Sequence, residues 1–209
     1  MRYFSIVKMM LVLFAAGVVC ANAMTATTDE GRKVILNSDG TWKYASDKES
    51  SSAGTELRKT KNATSILKGK AGFYELWYNP EKWTLNPNSR HPVAEYQLVN
   101  SSKEGQAMVI AERISVPIET LRKIAIDNGK KVAQDLEVTD EQNVRVNGQN
   151  FLKMKMLGSI QGIPFAYYGI YWTGKAGCIQ LITYTAQNLL EEFQPDFDEL
   201  LSGLVITRP

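Results

Sequence analysis

The sequence has little of the side-chain chemistry from which most active sites and metal centres are built. Its 209 residues include two cysteines and one histidine. Structural zinc sites take their ligands mainly from Cys and His, and Ser–His–Asp or Cys–His catalysis needs a histidine base. His91 would have to serve any such site, and its Pro- and Asn-rich surroundings indicate an exposed loop. We therefore predict no zinc site and no catalytic role for His91.

Other motifs for ligand chemistry are also missing. No Gly-rich phosphate-binding loop follows a strand pattern, and no Asp-rich loop has the spacing of a calcium site. Neighbouring carboxylates such as Glu191-Glu192 are typical of a solvated surface, because a glycosidase pair is defined by spatial separation. The sequence thus predicts no metal, no cofactor and no catalytic residue.

The chain lacks an excess of charge of either sign. It has 24 Lys and Arg against 22 Asp and Glu, a net charge of +2. Arg2 and Lys8 account for this difference, and both lie in the segment that we expect to be removed. A formally neutral mature chain argues against a nucleic-acid partner, which requires a cluster of Lys and Arg to displace counterions.

A disulfide within the mature chain is excluded, because Cys20 precedes the expected cleavage site and Cys178 is then left alone. The apolar pattern around Cys178 indicates a buried strand. If the protein is an enzyme rather than a binding protein, the alternative function is that of an exported hydrolase, with an unrecognised site formed by carboxylates or by Cys178. A cysteine nucleophile would require a nearby base and a setting that favours the thiolate.

One long apolar run is present, and it is too short to span a membrane. Residues 9–20 carry no charge, follow Arg2 and Lys8, and precede Ala21-Asn22-Ala23. A charged start, an apolar core and a small-x-small site are typical of a secretory signal peptide. Valines at 18 and 19 do not suit lipid attachment at Cys20. We predict a signal peptide at 1–23, export to the periplasm or the extracellular space, and no stable membrane insertion after cleavage.

The mature chain is predicted to contain three parts. A small β-hairpin occupies residues 24–45, because Ser38-Asp39-Gly40 separates two alternating runs, with Trp42 as its packing residue. Residues 46–60 are rich in Ser and charge without apolar periodicity, which predicts a flexible linker. Residues 61–209 form the main domain.

This main domain is predicted to be α+β, with helices covering a single antiparallel sheet. Strand patterns at 73–78, 93–100 and 106–114 precede a helix from Pro117 to about Gln134. A four-stranded meander at 136–184 follows, and then a helix that Pro195 is expected to break.

Three features of this order suggest a family. A strand precedes Asn79-Pro80-Glu81-Lys82-Trp83, a helix follows the first hairpin, and a strand ending at Ala186 leads into a Phe-rich helix. Over residues 73–206 the chain resembles the PsbP/DcrB-like α/β/α sandwich group. The resemblance implies a fold and a non-enzymatic accessory, assembly or binding role, often in exported proteins. It implies no site residues.

Aromatic side chains are the best candidates for a binding surface. Alternation along the meander places Phe165, Tyr167 and Tyr171 on one face of a strand, and Tyr168 and Trp172 on the other. Most should pack in the core, and the remainder can line a cleft for a small ligand or a partner. The candidate binding residues are Trp83, Tyr78, Trp77 and Trp172. Trp83 leads because its surroundings indicate a loop.

Together these patterns predict an exported, non-catalytic binding protein that serves as an accessory or assembly factor in a bacterial cell envelope. Its partner is predicted to be an envelope protein or a small ligand.

Overall fold

The computed structural model of the chain describes residues 24–27, 33–36, 42–44, 56–87 and 91–208. Outside these residues lie the predicted signal peptide, the hairpin turn at 38–40 and residues 46–55 of the predicted linker. The chain divides into two compact units, Met1–Ser52 and Ala53–Pro209. No helix in the described part of the chain is long and apolar enough to cross a membrane.

The first unit contains the predicted hairpin and one further strand. Strands β2 (Lys33–Leu36) and β3 (Trp42–Tyr44) pair antiparallel, as the sequence predicts. Strand β1 (Met24–Thr27) pairs with the other edge of β2, so the sheet has three strands in the order β1-β2-β3. The packing role predicted for Trp42 stays a prediction, because its side chain lies outside the described part.

The described residues of the second unit form two antiparallel sheets and two α-helices. Its strands are β4 Ser65–Lys68, β5 Tyr74–Tyr78, β6 Trp83–Leu85, β7 Tyr96–Asn100, β8 Gln106–Glu112, β9 Glu137–Val146, β10 Gln149–Ile160, β11 Ile163–Gly174, β12 Gly177–Ala186 and β13 Leu204–Ile206. Its helices are α1 Ile118–Val132 and α2 Leu190–Ser202, the latter preceded by a 3₁₀ turn at Gln187–Leu189.

The larger sheet has seven strands in the order β6-β7-β8-β12-β11-β10-β9. Its second half is the predicted meander, and each turn lies where the sequence places it. Asn147 and Gln161 adopt positive φ angles of 45° and 53° before Gly148 and Gly162, which suits tight two-residue hairpins.

The prediction of a single sheet is wrong in one respect. Strands β4, β5 and β13 form a second, three-stranded sheet in the order β13-β5-β4. The sequence between 61 and 72 gave no clear periodicity, and β4 forms there because it pairs with β5 from Ser65↔Tyr78 to Lys68↔Glu75. β4 and β5 are consecutive strands joined by a short turn, and only β13 is brought to this sheet from a distant part of the sequence.

Each face of the larger sheet packs on one helix, which confirms the α+β sandwich. On one face the core joins Leu98 and Ile170 of the larger sheet, Leu76 of the smaller sheet and Phe197 of α2. On the other face α1 contributes Leu121 and packs on a separate apolar cluster.

Helix α2 continues through Pro195, contrary to the prediction of a break. Proline removes one backbone donor and repels the carbonyl four residues earlier. Both Pro195 and Glu191, four residues before it, are exposed, so water can satisfy that carbonyl. Phe193 and Phe197 meanwhile bury the opposite side of the helix.

The end of the predicted linker is part of the second unit. The Leu57 N–H donates to the Arg145 carbonyl (2.8 Å), and Leu57 accepts from the Asn147 N–H (3.0 Å). Thr60 donates its hydroxyl to Glu199 of α2 (3.0 Å). Residues 56–60 therefore lie against β9 and α2, and the domain begins before the predicted boundary at Lys61.

Candidate functional site

Two of the four predicted binding residues lie in the core. Trp83 is 1% exposed and its ring centroid is 6.1 Å from that of Phe197. Trp83 belongs to edge strand β6. The prediction that it lies in a loop, which made it the leading candidate binding residue, is therefore wrong. Trp172 is 4% exposed and packs on Phe73, with ring centroids 5.9 Å apart. Neither ring is available to a ligand.

Trp77 and Tyr78 are half-buried and project to opposite faces of β5. Leu76 points into the core, so Trp77 points outward, where the Lys59 ammonium lies 4.1 Å from its ring centroid. Tyr78 packs against the core between the sheets. The structure thus does not bring the predicted residues together into one site.

The Asn79–Trp83 motif has a structural role. The Asn79 side-chain oxygen accepts from the Glu81 N–H (3.0 Å), and this turn delivers Trp83 to Phe197. The Lys82 ammonium lies 2.7 Å from both Asp196 and Glu199 of α2. These two carboxylates raise the pKa of Lys82. The motif holds α2 against the sheet.

A second polar cluster also anchors α2. The Tyr168 hydroxyl donates to Asp198 (2.7 Å) and accepts from the Lys153 ammonium (2.8 Å). Tyr168 is 3% exposed, and burial, followed by the Asp198 carboxylate, raises its pKa well above the usual range. The cluster is closed to solvent on the Tyr168 side and ties two strands to a helix.

The candidate nucleophile is in an unfavourable setting. Cys178 is buried in the α1-side cluster, and burial together with Glu112 raises the pKa of its thiol. His91 is half-buried, more than predicted, and its Nδ1 accepts from the Ala94 N–H (3.0 Å). No group of three or more His, Cys, Asp or Glu in the described residues is placed to hold a metal ion.

An aromatic cluster on the α1 side of the larger sheet remains open to solvent. Phe165, Tyr167 and Tyr184 are each half-buried, and we call them the aromatic platform. Their ring centroids are 5.8–6.3 Å apart. Tyr167 and Tyr184 are direct cross-strand partners on β11 and β12, which places their rings side by side.

The path of α1 explains why the platform is uncovered. The Thr173 hydroxyl donates to the Val116 carbonyl (2.6 Å) where the chain approaches this face. Beyond the other end of α1, the backbone of Leu136 passes close to Gly158 of β10, because a Cβ atom added to Gly158 would lie only 3.1 Å from it. The chain therefore leaves the sheet over β10. The end of β12 that carries Tyr184 lies beyond this path.

A cleft of about 520 Å³ adjoins the platform. It is lined by Ile163, Pro164, Ala186, Gln187 and Asn188. Phe165 of the platform is the cross-strand partner of Ala186, which lines the cleft, so the platform and the cleft are neighbours at this end of the sheet. Such a volume lies within the range of small-molecule sites, roughly 300–1,000 Å³.

The platform hydroxyls are neutral hydrogen-bonding groups. Burial raises the pKa of Tyr167, and burial together with the neighbouring Tyr167 raises that of Tyr184. The Tyr184 hydroxyl donates to the Gln106 side-chain oxygen (2.9 Å). Both hydroxyls can therefore donate and accept around neutral pH.

A larger surface notch, of about 770 Å³, involves side chains that already bind the protein itself. Arg58 pairs with Glu56 (2.5 Å), and Arg145 donates to the Gly148 carbonyl (3.1 Å). The Asn147 amide nitrogen donates to the carbonyls of Ser202 and Leu204 (both 2.8 Å). We assign this notch to the contact of residues 56–60 with the domain.

No family model and no curated protein matches the sequence. The solution structure of cyanobacterial PsbP (CyanoP) from Synechocystis sp. PCC 6803 matches with a TM-score of 0.51 and 12% identity, over 68% of this chain and 91% of that one. The chain has a PsbP-like fold.

Two further solved structures match the PsbP-like domain less well. LpqN, involved in cell envelope biogenesis of Mycobacterium tuberculosis, has a TM-score of 0.48 and 12% identity, over 68% of this chain and 90% of that one. The Saccharomyces cerevisiae Ran-binding protein Mog1p has a TM-score of 0.47 and 9% identity, over 69% and 95%.

Sequence reasoning found part of the platform and missed its partner strand. The predicted split, with Tyr167 and Tyr171 on one face and Tyr168 and Trp172 on the other, is confirmed. Tyr184 was not singled out, because it faces Tyr167 only once the β11–β12 register is known. The one signal in the sequence that could have identified Tyr184 is its position on the strand that follows the strand of Tyr167.

Proposed function

We propose that this chain is an exported, non-catalytic binding protein that acts as an accessory or assembly factor in a bacterial cell envelope and holds its partner on the aromatic platform. The observation that carries this proposal is the platform itself, three half-buried rings beside an open cleft on a sheet face that α1 leaves free. Half-buried aromatic groups with polar ends are typical of binding surfaces.

Two further observations support the proposal. The positive start, apolar run and Ala21-Asn22-Ala23 are the pattern of an export signal. Cys178, the candidate nucleophile of the hydrolase alternative, has a pKa that burial raises, which disfavours the thiolate.

Export is tested by the mass of the protein purified from its host. Cleavage after Ala23 should give an N-terminus at Met24, the first residue of β1. Retention of Met1, or a lipid on Cys20, would contradict this part of the proposal.

Binding is tested by capture from envelope extract on immobilised mature protein. Ile163→Glu places a charge at the platform cleft, and Ile114→Glu is its matched control, because both isoleucines are 58% exposed. The component retained by the wild type should be lost with Ile163→Glu and kept with Ile114→Glu. Equal capture by both variants would show that the platform is not the binding surface.

A further inference from the structure

We propose, as an extension of the proposed function, that the platform and its cleft bind an uncharged oligosaccharide. One sugar ring would stack on Tyr167 and Tyr184, and the next would extend past Phe165 into the cleft lined by Gln187 and Asn188.

The aromatic platform suits a flat, partly apolar ligand. The rings of Phe165, Tyr167 and Tyr184 lie tilted by 38–44° to one another, and each of the three residues is partly exposed to solvent. A pyranose ring has an apolar face of C–H groups and a perimeter of hydroxyls. Aromatic side chains with a polar end match both parts of such a ligand.

Polar groups around the aromatic platform have donors and acceptors that are not used in hydrogen bonds within the described part of the protein. In the described part of the chain, no hydrogen bond involves the Tyr167 hydroxyl or the side-chain amides of Gln187 and Asn188. Gln106 uses its oxygen to accept from Tyr184, which leaves its NH₂ group free to donate. Hydroxyls and amides each donate and accept, as sugar hydroxyls require.

Charge decides between ligand classes. None of the residues that form the platform or line its cleft carries an ionised side chain at neutral pH. The Asp135 carboxylate lies near Gly158, the cross-strand partner of Phe165, but it accepts from the Ser159 N–H (2.8 Å). An anionic ligand would find no cation among these residues, and a purely apolar one would bury the amides without hydrogen-bond partners, which is unfavourable.

The test uses the mature full chain and isothermal titration with soluble oligosaccharides. The neutral probes are cello-, malto- and N-acetylchito-hexasaccharides, and the anionic comparator is an oligogalacturonate. At least one neutral probe should bind. Tyr184→Ala should weaken that binding by about tenfold or more, which corresponds to about 1.4 kcal/mol, because it removes one of the two rings on which the sugar stacks.

Asn188→Ala provides a second variant that keeps the test valid if Tyr184→Ala fails to fold, because Asn188 is exposed. It should weaken binding several-fold. Asn143→Ala, at an exposed asparagine on β9, is the matched control and should bind as the wild type does.

Three results would overturn the inference: no neutral probe binds, only the anionic probe binds, or binding survives both Tyr184→Ala and Asn188→Ala unchanged. If no neutral probe binds while capture from envelope extract still depends on Ile163, the carbohydrate inference fails and the proposed function stands. If capture is also independent of Ile163, both fail.

Discussion

At the scale of single residues, location decides the role of each tryptophan. Trp83 and Trp77 are six positions apart and flank the same Asn79 turn. Trp83 is buried against Phe197, whereas Trp77 lies on the outer face of its sheet beneath Lys59. The buried Trp83 Nε1 also has no hydrogen-bond partner, so this ring contributes through packing rather than through its polar end.

Truncation of Trp83 should therefore destabilise the domain. We expect Trp83→Ala to lower the free energy of unfolding by roughly 3–5 kcal/mol, measured by urea denaturation, because it leaves a large cavity. Trp83→Phe should cost less, since it keeps a packed ring and removes the unpaired Nε1–H. Trp77→Ala is the control and should cost less than Trp83→Ala. A loss below about 1 kcal/mol for Trp83→Ala would contradict its place in the core.

At the scale of elements, two hairpin turns with the same backbone conformation have different structural roles. Asn147-Gly148 joins β9 to β10, and Gln161-Gly162 joins β10 to β11, all four residues with positive φ. The Asn147 side chain also binds three backbone groups, accepting from the Lys59 N–H (3.0 Å) and donating to the carbonyls of Ser202 and Leu204. One turn thus connects the segment before β4 with the end of α2.

Replacing both turn residues by glycine separates these tasks. Asn147→Gly keeps the left-handed backbone but removes three hydrogen bonds, and should lower the free energy of unfolding by about 2–3 kcal/mol because two carbonyls lose their partner. Gln161→Gly is the matched control and should change it by less than about 0.5 kcal/mol. Equal effects in urea denaturation would mean that the Asn147 contacts do not contribute.

At the scale of the whole molecule, the sandwich buries tyrosines in both of its apolar clusters. Tyr74 and Tyr168 belong to the α2 side, and Tyr171 belongs to the α1 side, where its hydroxyl has no hydrogen-bond partner. Burial is the main cause that raises the pKa of all three well above the usual range. The contribution of these three tyrosines to the stability of the domain should therefore decrease at alkaline pH.

Above about pH 10 the unfolded chain releases tyrosine protons that the folded domain retains. The unfolded state then binds fewer protons, so the free energy of unfolding should fall as the pH rises from 10 to 11. Lys82, whose folded pKa is also raised, acts in the same direction, weakened by its 38% side-chain exposure.

Tyr168→Phe should reduce this alkaline slope by up to about 1.4 kcal/mol per pH unit, the value for one proton. Urea denaturation at pH 8, 9, 10 and 11 measures the slope independently of the hydrogen bonds that the variant loses at every pH. An unchanged slope would mean that Tyr168 titrates in the folded domain as it does when unfolded.

The local pattern of the sequence determined much of the fold. Alternation and turn residues place β9 to β12, including the glycine turns after Asn147 and Gln161, because strand period and positive φ are properties of short segments. The apolar spacing of Leu190, Phe193 and Phe197 likewise places α2. The positive start at Arg2 and Lys8, the uncharged run at 9–20 and Ala21-Asn22-Ala23 predict an export signal from the sequence alone.

Only the tertiary structure decided which aromatic residues are accessible. β13 pairs with β5 across more than 120 positions in sequence, and this pairing separates a second sheet that buries Leu76 and exposes the Trp77 face. Tyr184 joins Tyr167 through the register of β11 and β12, and α1 leaves them open because it follows β10 and β11. A ring has the same apolar surface in every sequence context, so its exposure depends on long-range packing that no local pattern encodes.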